Sequence, residues 1–177
     1  DVYKRQLNAR VESNFQKLWN EKLEEKEIDI NIEFLSNTIY FARLATMVQG
    51  VLFIEHISST ENLEINLKEV LQNWSAGCII RSDLLKELGN VNLSNTITSS
   101  EFVQNTLLEN LDSVKNVIKT CIDGSVPIPV ITSSYNWFVG TSNSFNPSSL
   151  IQAQRDYFGA HQVQLNNSDE FIHLDWD

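Results

Sequence analysis

Apolar side chains recur at every third or fourth position through nearly all of this chain, and only six glycines and three prolines interrupt them. That spacing is the period of a helix face, and stretches this long leave little room for strands. Leu7, Val11, Phe15, Leu18 and Trp19 open the pattern and run into the Glu/Lys-rich Glu21–Glu27. A second stretch, from Ser36 as N-cap to Ile57, is apolar on nearly all sides and predicts a helix buried in a bundle. A third begins near Asn62 and aligns Leu67, Val70, Leu71, Trp74, Cys78, Leu84, Leu85 and Leu88 on one stripe. Gly77 falls inside that stripe at a cost of about 1 kcal/mol relative to alanine, which predicts a second helix passing very close. In the fourth, Thr98 and Glu101 have capping-box spacing, and Val103, Leu107, Leu111, Val114, Ile118 and Ile122 form the inner face. Gly124 followed by Pro127 ends it.

Val126-Pro-Ile-Pro-Val130 should start extended, because proline disfavours helix in the residue before it. A short aromatic helix with Tyr135, Trp137 and Phe138 follows. Asn146-Pro147 then reads as N-cap plus N1 proline of a helix running to Gly159. The tail from His161 to Asp177 is polar, with apolar anchors at Phe171, Ile172 and Trp176. No stretch alternates with period two, and the chain reads as all-α. Residues 1–6, Asp-Val-Tyr-Lys-Arg-Gln, resemble the translation of a transposon-end sequencing adapter and are set aside as a scar, with the native chain expected from about Leu7.

The 177 residues, 42% apolar and 20% charged, are one domain's worth of soluble globular chain. Thirteen Lys and Arg against twenty-three Asp and Glu give a net charge of −10, which disfavours nucleic acid and anionic membranes as partners. The longest apolar stretch, Thr38–Ile57, is broken by Arg43, Gln49 and Glu55 and falls short of a membrane span. Cys78 and Cys121 are too few for a disulfide framework and read as small buried groups on helix stripes. With no signal peptide in view, a cytoplasmic location is expected. There is no GxGxxG, P-loop, HExxH or GxSxG, and His56, His161 and His173 lie far apart. Pattern alone therefore gives no self-contained active site, no cofactor-binding residue and no metal site.

One anomaly is electrostatic. From position 120 to the end, Arg155 is the sole Lys or Arg, with His161 nearby. In the last turn of its helix it suits the helix dipole or a neighbouring acid. The alternative is that its planar fork grips phosphate or carboxylate oxygens.

Leu150-Ile-Gln-Ala-Gln-Arg-Asp-Tyr-Phe-Gly-Ala-His161 resembles the C-terminal signature of decarboxylating 6-phosphogluconate dehydrogenase. Trp74-Ser-Ala-Gly-Cys-Ile-Ile-Arg81 resembles that family's Trp-x-Gly-Gly-Cys-Ile-Ile-Arg, and Gln49-Gly50 precedes it at the family's spacing. Val126-Pro-Ile-Pro129 resembles its paired-proline element, and Phe171-Ile-His-Leu-Asp-Trp176 its terminal motif. The likeness runs in order from about Tyr40 to the end. Ala76, Val163 and Leu174 depart from the family's glycine, tyrosine and threonine, and Asn143–Pro147 lacks its leucine-proline turn.

The resemblance implies an all-helical C-terminal domain over residues 7–160 and a tail, 161–177, that docks on the partner of a homodimer. It implies an enzyme that oxidises 6-phosphogluconate with NADP and releases carbon dioxide and ribulose 5-phosphate in the pentose phosphate pathway. The nucleotide site and the catalytic lysine and glutamate belong to an N-terminal domain upstream of this chain, which on its own is expected to be inactive. The family's substrate-binding arginine and histidine carry over to Arg155 and His161. Arg81 reads as structural and paired with an acid, Gly77 as a packing glycine, and Trp74 and the Tyr135–Phe138 cluster as core. His173 and Trp176 read as packing anchors against the partner. Two other readings stay open: a non-catalytic helical dimerisation module, and a related hydroxyacid dehydrogenase with another substrate.

Overall fold

The computed structural model describes residues 27–91, 96–143, 147–165 and 168–176. The suspected scar and almost all of the first expected helix lie outside the described residues. The chain divides into two compact units, one ending at Tyr135 and the other beginning at Asn136.

The first unit holds helices α1 (Ile32–Thr60), α2 (Leu67–Gly77), α3 (Asp83–Asn90) and α4 (Glu101–Asp123), with a 3-10 turn at Ile97–Ser99. The all-α reading holds. Helix α1 starts earlier than the sequence reading placed it, because Asn31 caps it: its side-chain oxygen accepts from the N–H groups of Glu33 (2.8 Å) and Phe34 (3.3 Å). Ser36 lies within the first two turns. The middle of α1 buries one broad face between Thr38 and Val51, with Phe41, Leu44, Ala45 and Val48 fully enclosed, while Ile39, Arg43 and Thr46 are exposed. Its later part emerges, Phe53 being 65% exposed. The helix therefore buries one broad face, and the expected burial on nearly all sides does not hold even over its central turns.

Helix α4 packs along α1 and supplies Val103, Leu107, Val114, Val117 and Cys121. Each such side chain contributes roughly 1.5–3 kcal/mol when fully buried. Across this contact Asn37 donates to the Ser113 hydroxyl at 3.3 Å. The N-cap of α4 is Ser100, whose hydroxyl accepts from the Val103 N–H, and Thr98 sits in the preceding 3-10 turn. The inner stripe also departs from expectation near its end. Repeated steps of four overshoot a 3.6-residue turn, so Val117 and Cys121 are buried while Ile122 is 65% exposed.

The expected third helix is two helices. Residues 78–82 form a turn in which the Arg81 N–H donates to the Cys78 carbonyl at 3.0 Å, and the chain is extended at Cys78 and Ser82. The apolar stripe spans the break because α2 and α3 pack on each other. Gly77 is thus the last residue of α2, and a Cβ there would meet nothing within 4 Å, so the expected helix crossing at Gly77 is absent. The close approach is at Gly50, where a Cβ would stand 3.8 Å from the tip of the half-buried Trp74 ring. Cys78 is exposed, not buried, and Cys121 is buried as expected. Arg81 is exposed beside the turn, where its charge helps to lower the Asp83 carboxyl, after the larger effect of Lys86.

Helix α5 (Pro129–Ser142) carries the boundary between the units and begins on Pro129. Tyr135, Trp137 and Phe138 on it are half-buried, short of full core positions. In the second unit, helix α6 (Ser148–Gly159) follows Pro147, which stands at its N-cap and not at its first helical position. Asn146 lies outside the described residues. After α6 the tail turns back, and two-residue strands β1 (Val163–Gln164) and β2 (Phe171–Ile172) pair antiparallel, Val163 opposite Ile172. No described helix is long and apolar enough to cross a membrane.

Candidate functional site

The C-terminal end of α6 and the tail that returns over it form the site. Spacing explains why they meet. Gln152, Arg155, Asp156 and Gly159 stand at i, i+3, i+4 and i+7 and so share one helix face. That face would bury an apolar stripe in an ordinary amphipathic helix. Here it carries an amide, a guanidinium, a carboxylate and a bare backbone.

Asp156 is the anchor. It is fully buried, and four donors fill its two oxygens. Oδ1 accepts from the Gln162 N–H at 2.7 Å and faces His173 Nδ1 at 2.9 Å, while Oδ2 accepts from the Leu174 N–H at 2.9 Å and the Trp176 indole N–H at 3.0 Å. An ionised carboxylate only accepts, so His173 Nδ1 carries the proton in that contact. Burial pushes the Asp156 carboxyl up, but His173, the Leu174 N–H, Trp176 and the Gln162 N–H together hold it well below the usual carboxylate range. The Trp176 ring also meets Tyr157 edge-on, 5.6 Å between centroids at 82°. His173 and Trp176, expected as packing anchors, therefore make polar contacts within their own chain.

Both expected substrate-binding residues are exposed and lie beside this anchor. Arg155 donates from Nη1 to Gln152 Oε1 at 3.2 Å. Gln152 Nε2 in turn donates to the Gln162 carbonyl at 2.6 Å and, at 3.5 Å, to that of His161. The His161 ring lies over Gly159, where a Cβ would stand 2.8 Å from its Cδ2 and Nε2. Ala160 closes the helix in the left-handed region at φ 48°, and Gln162 repeats it at φ 64°, so the chain reverses on either side of His161. The result is a guanidinium and an imidazole held at one exposed helix end, a donor set suited to a phosphorylated or carboxylated ligand. Among the described residues no cluster of three or more His, Cys, Asp and Glu could hold a metal ion.

The sequence reading missed Asp156 and Gln152. The i, i+3, i+4, i+7 run of non-apolar residues ending in glycine was the available signal. The donors that give Asp156 its role come from residues up to twenty positions later, which no local pattern connects to it.

Comparison with known proteins adds to this geometry. The family model described as 6-phosphogluconate dehydrogenase, C-terminal domain, matches residues 3–176. The decarboxylating 6-phosphogluconate dehydrogenase of Staphylococcus epidermidis is 32% identical over 152 residues, covering 82% of this chain and 32% of that enzyme. The Lactococcus lactis subsp. lactis enzyme of the same name is 28% identical over 154 residues with the same coverage. A solved structure of Plasmodium falciparum 6-phosphogluconate dehydrogenase, described in its apo form and in complexes with NADP+ and with 6-phosphogluconate, matches with a TM-score of 0.81 at 26% identity. That match covers 97% of this chain and 38% of the other. The chain spans about a third of the length of the curated relatives it matches. A helical domain whose family match runs almost end to end, and whose most specific signature builds the donor-rich end of α6, belongs to the 6-phosphogluconate dehydrogenase family as its C-terminal domain.

Proposed function

We propose that this chain serves a decarboxylating 6-phosphogluconate dehydrogenase by presenting Arg155 and His161 to the substrate held by the neighbouring subunit of a cytoplasmic homodimer. The observation that carries the reading is the exposure of these two side chains at the end of α6, beside the hydrogen bonds of Gln152 and Asp156. In a chain of net charge −10 a multiply charged sugar phosphate meets an unfavourable mean field, so local donors must supply the attraction. Arg155 offers a two-pronged grip on phosphate oxygens, and His161 a second donor that fixes the anion's orientation.

NADP, the coenzyme that the family implies, finds no cradle among these residues. No two of the six glycines, at 50, 77, 89, 124, 140 and 159, are close enough to form a phosphate-binding glycine turn. The nucleotide and the acid–base pair are assigned to a separate Rossmann domain, as the family resemblance implies.

The test is to express the complete reading frame that carries this chain and follow NADP reduction and carbon dioxide release with 6-phosphogluconate. Both are expected. Arg155→Ala should lower kcat/KM by about 30- to 1000-fold, equivalent to roughly 2–4 kcal/mol, mainly through KM. Unchanged kinetics would remove Arg155 from substrate binding. One observation favours a second reading, a helical dimerisation module without catalysis: Leu150, Ile151, Tyr157 and Phe158 on α6 are between 58% and 73% exposed. A reading frame with no strand–glycine turn–helix unit, yielding a dimer without activity, would select it.

A further inference from the structure

We propose that Gln152 is a positioning residue for the substrate-gripping pair: one side-chain amide aims Arg155 with its oxygen and the His161 backbone with its nitrogen. The inference rests on the reading of Arg155 and His161 above and adds a residue that acts through them. The amide's acceptor takes the Arg155 Nη1 hydrogen at 3.2 Å, and its donor reaches the carbonyls of Gln162 at 2.6 Å and His161 at 3.5 Å. Because acceptor and donor belong to one rigid plane, a shift of either partner is transmitted to the other.

This arrangement differs from simple structural support. The tail is already fastened by the four donors on Asp156, so removing the Gln152 amide leaves Trp176, His173 and the Gln162 N–H in place. What would be lost is the pre-set aim of an exposed arginine with a long, flexible stem. The chemistry also explains an amide here in preference to an acid. A neutral acceptor holds the guanidinium and leaves its charge available. A carboxylate at the same position would compete with phosphate for Arg155 and repel the incoming anion, and it would have no hydrogen to give the Gln162 carbonyl.

The test has two levels. In the 177-residue chain, Gln152→Met should move the NMR signals of the Arg155 guanidinium and the His161 ring, while the Trp176 indole N–H signal stays. In the protein from the complete reading frame, the same change should raise KM for 6-phosphogluconate by about five- to twenty-fold with kcat within about twofold. That effect should vanish in an Arg155→Ala, His161→Ala background, since Gln152 would have nothing left to aim. Gln152→Glu should also raise KM despite keeping an acceptor for Arg155. If Met shifts the Trp176 signal and so disturbs the tail, the smaller Gln152→Ala is read by the same criteria. Unmoved Arg155 and His161 signals, or a KM effect persisting in full in the doubly substituted background, would overturn the proposal. If Arg155→Ala raises KM and Gln152→Met does not, only this inference fails. If Arg155→Ala leaves KM unchanged, the substrate-gripping reading fails and this one falls with it.

Discussion

At the scale of single residues, the site depends on an absence. Gly159 ends α6 and has no side chain, and the His161 ring occupies the space where one would stand. Ala160, not the glycine, takes the left-handed turn at φ 48°, a conformation that costs an L-residue roughly 1–2 kcal/mol. The glycine is therefore needed for room and not for its backbone freedom. A methyl group at 159 would meet the far end of an exposed side chain, which can swing aside. Gly159→Ala should accordingly leave the thermal midpoint almost unchanged while displacing His161. In the complete protein KM for 6-phosphogluconate should rise about three- to tenfold, up to ~1.4 kcal/mol of lost binding. A variant with a moved imidazole signal and unaltered KM would exclude His161 from substrate binding.

Elements set the next scale, and two glycines in the first unit show opposite physics. At Gly124, just past α4, a Cβ would overlap the Ile28 side chain, whereas at Gly89 in α3 nothing lies within 4 Å. Gly124→Ala should destabilise the first unit by about 1–3 kcal/mol through forced repacking. Gly89→Ala should stabilise it by about 0.5–1 kcal/mol, because alanine loses less conformational freedom in a helix. Denaturant midpoints moving in the same direction for both would contradict this account. Gly124 also shows how far local signals reach. Its place after a helix was legible as punctuation, but the reason for it, Ile28 packed against the bare Cα, is a contact between residues nearly a hundred positions apart. The helices themselves were legible because burial imposes a 3.6-residue period. Their ends were less so: Asn31 and Ser100 do the capping that Ser36 and Thr98 seemed placed to do. The break after Gly77 was hidden because both flanking helices bury the same stripe. In the site, Arg155 stood out as an isolated cation. Asp156 did not, since an acid near a helix C-terminus opposes the dipole, and its value comes from donors that only the folded tail delivers.

For the whole molecule, that acid joins stability to pH. The chain carries ten net negative charges, yet Asp156, the one fully buried carboxylate among the described residues, is held ionised by four donors from the tail. A carboxyl whose folded-state pKa is depressed stabilises the fold fully above its unfolded value, near 4, and that contribution is lost as pH falls through the folded value. Tail docking should therefore persist as pH falls from 7 to 5. Docking should weaken from about pH 4 downward, because the unfolded tail state then takes up a proton that the docked state resists. The Trp176 indole N–H signal reports this directly, since Asp156 is its acceptor. Asp156→Asn should abolish the ionised acceptor at every pH and shift that signal even at neutrality. It presents an N–H where the native side chain accepts, so at least one tail donor is left without a partner. Release of the wild-type tail between pH 7 and 5 would show that something other than this carboxylate holds it, and the anchoring of His161 beside Arg155 would need another cause.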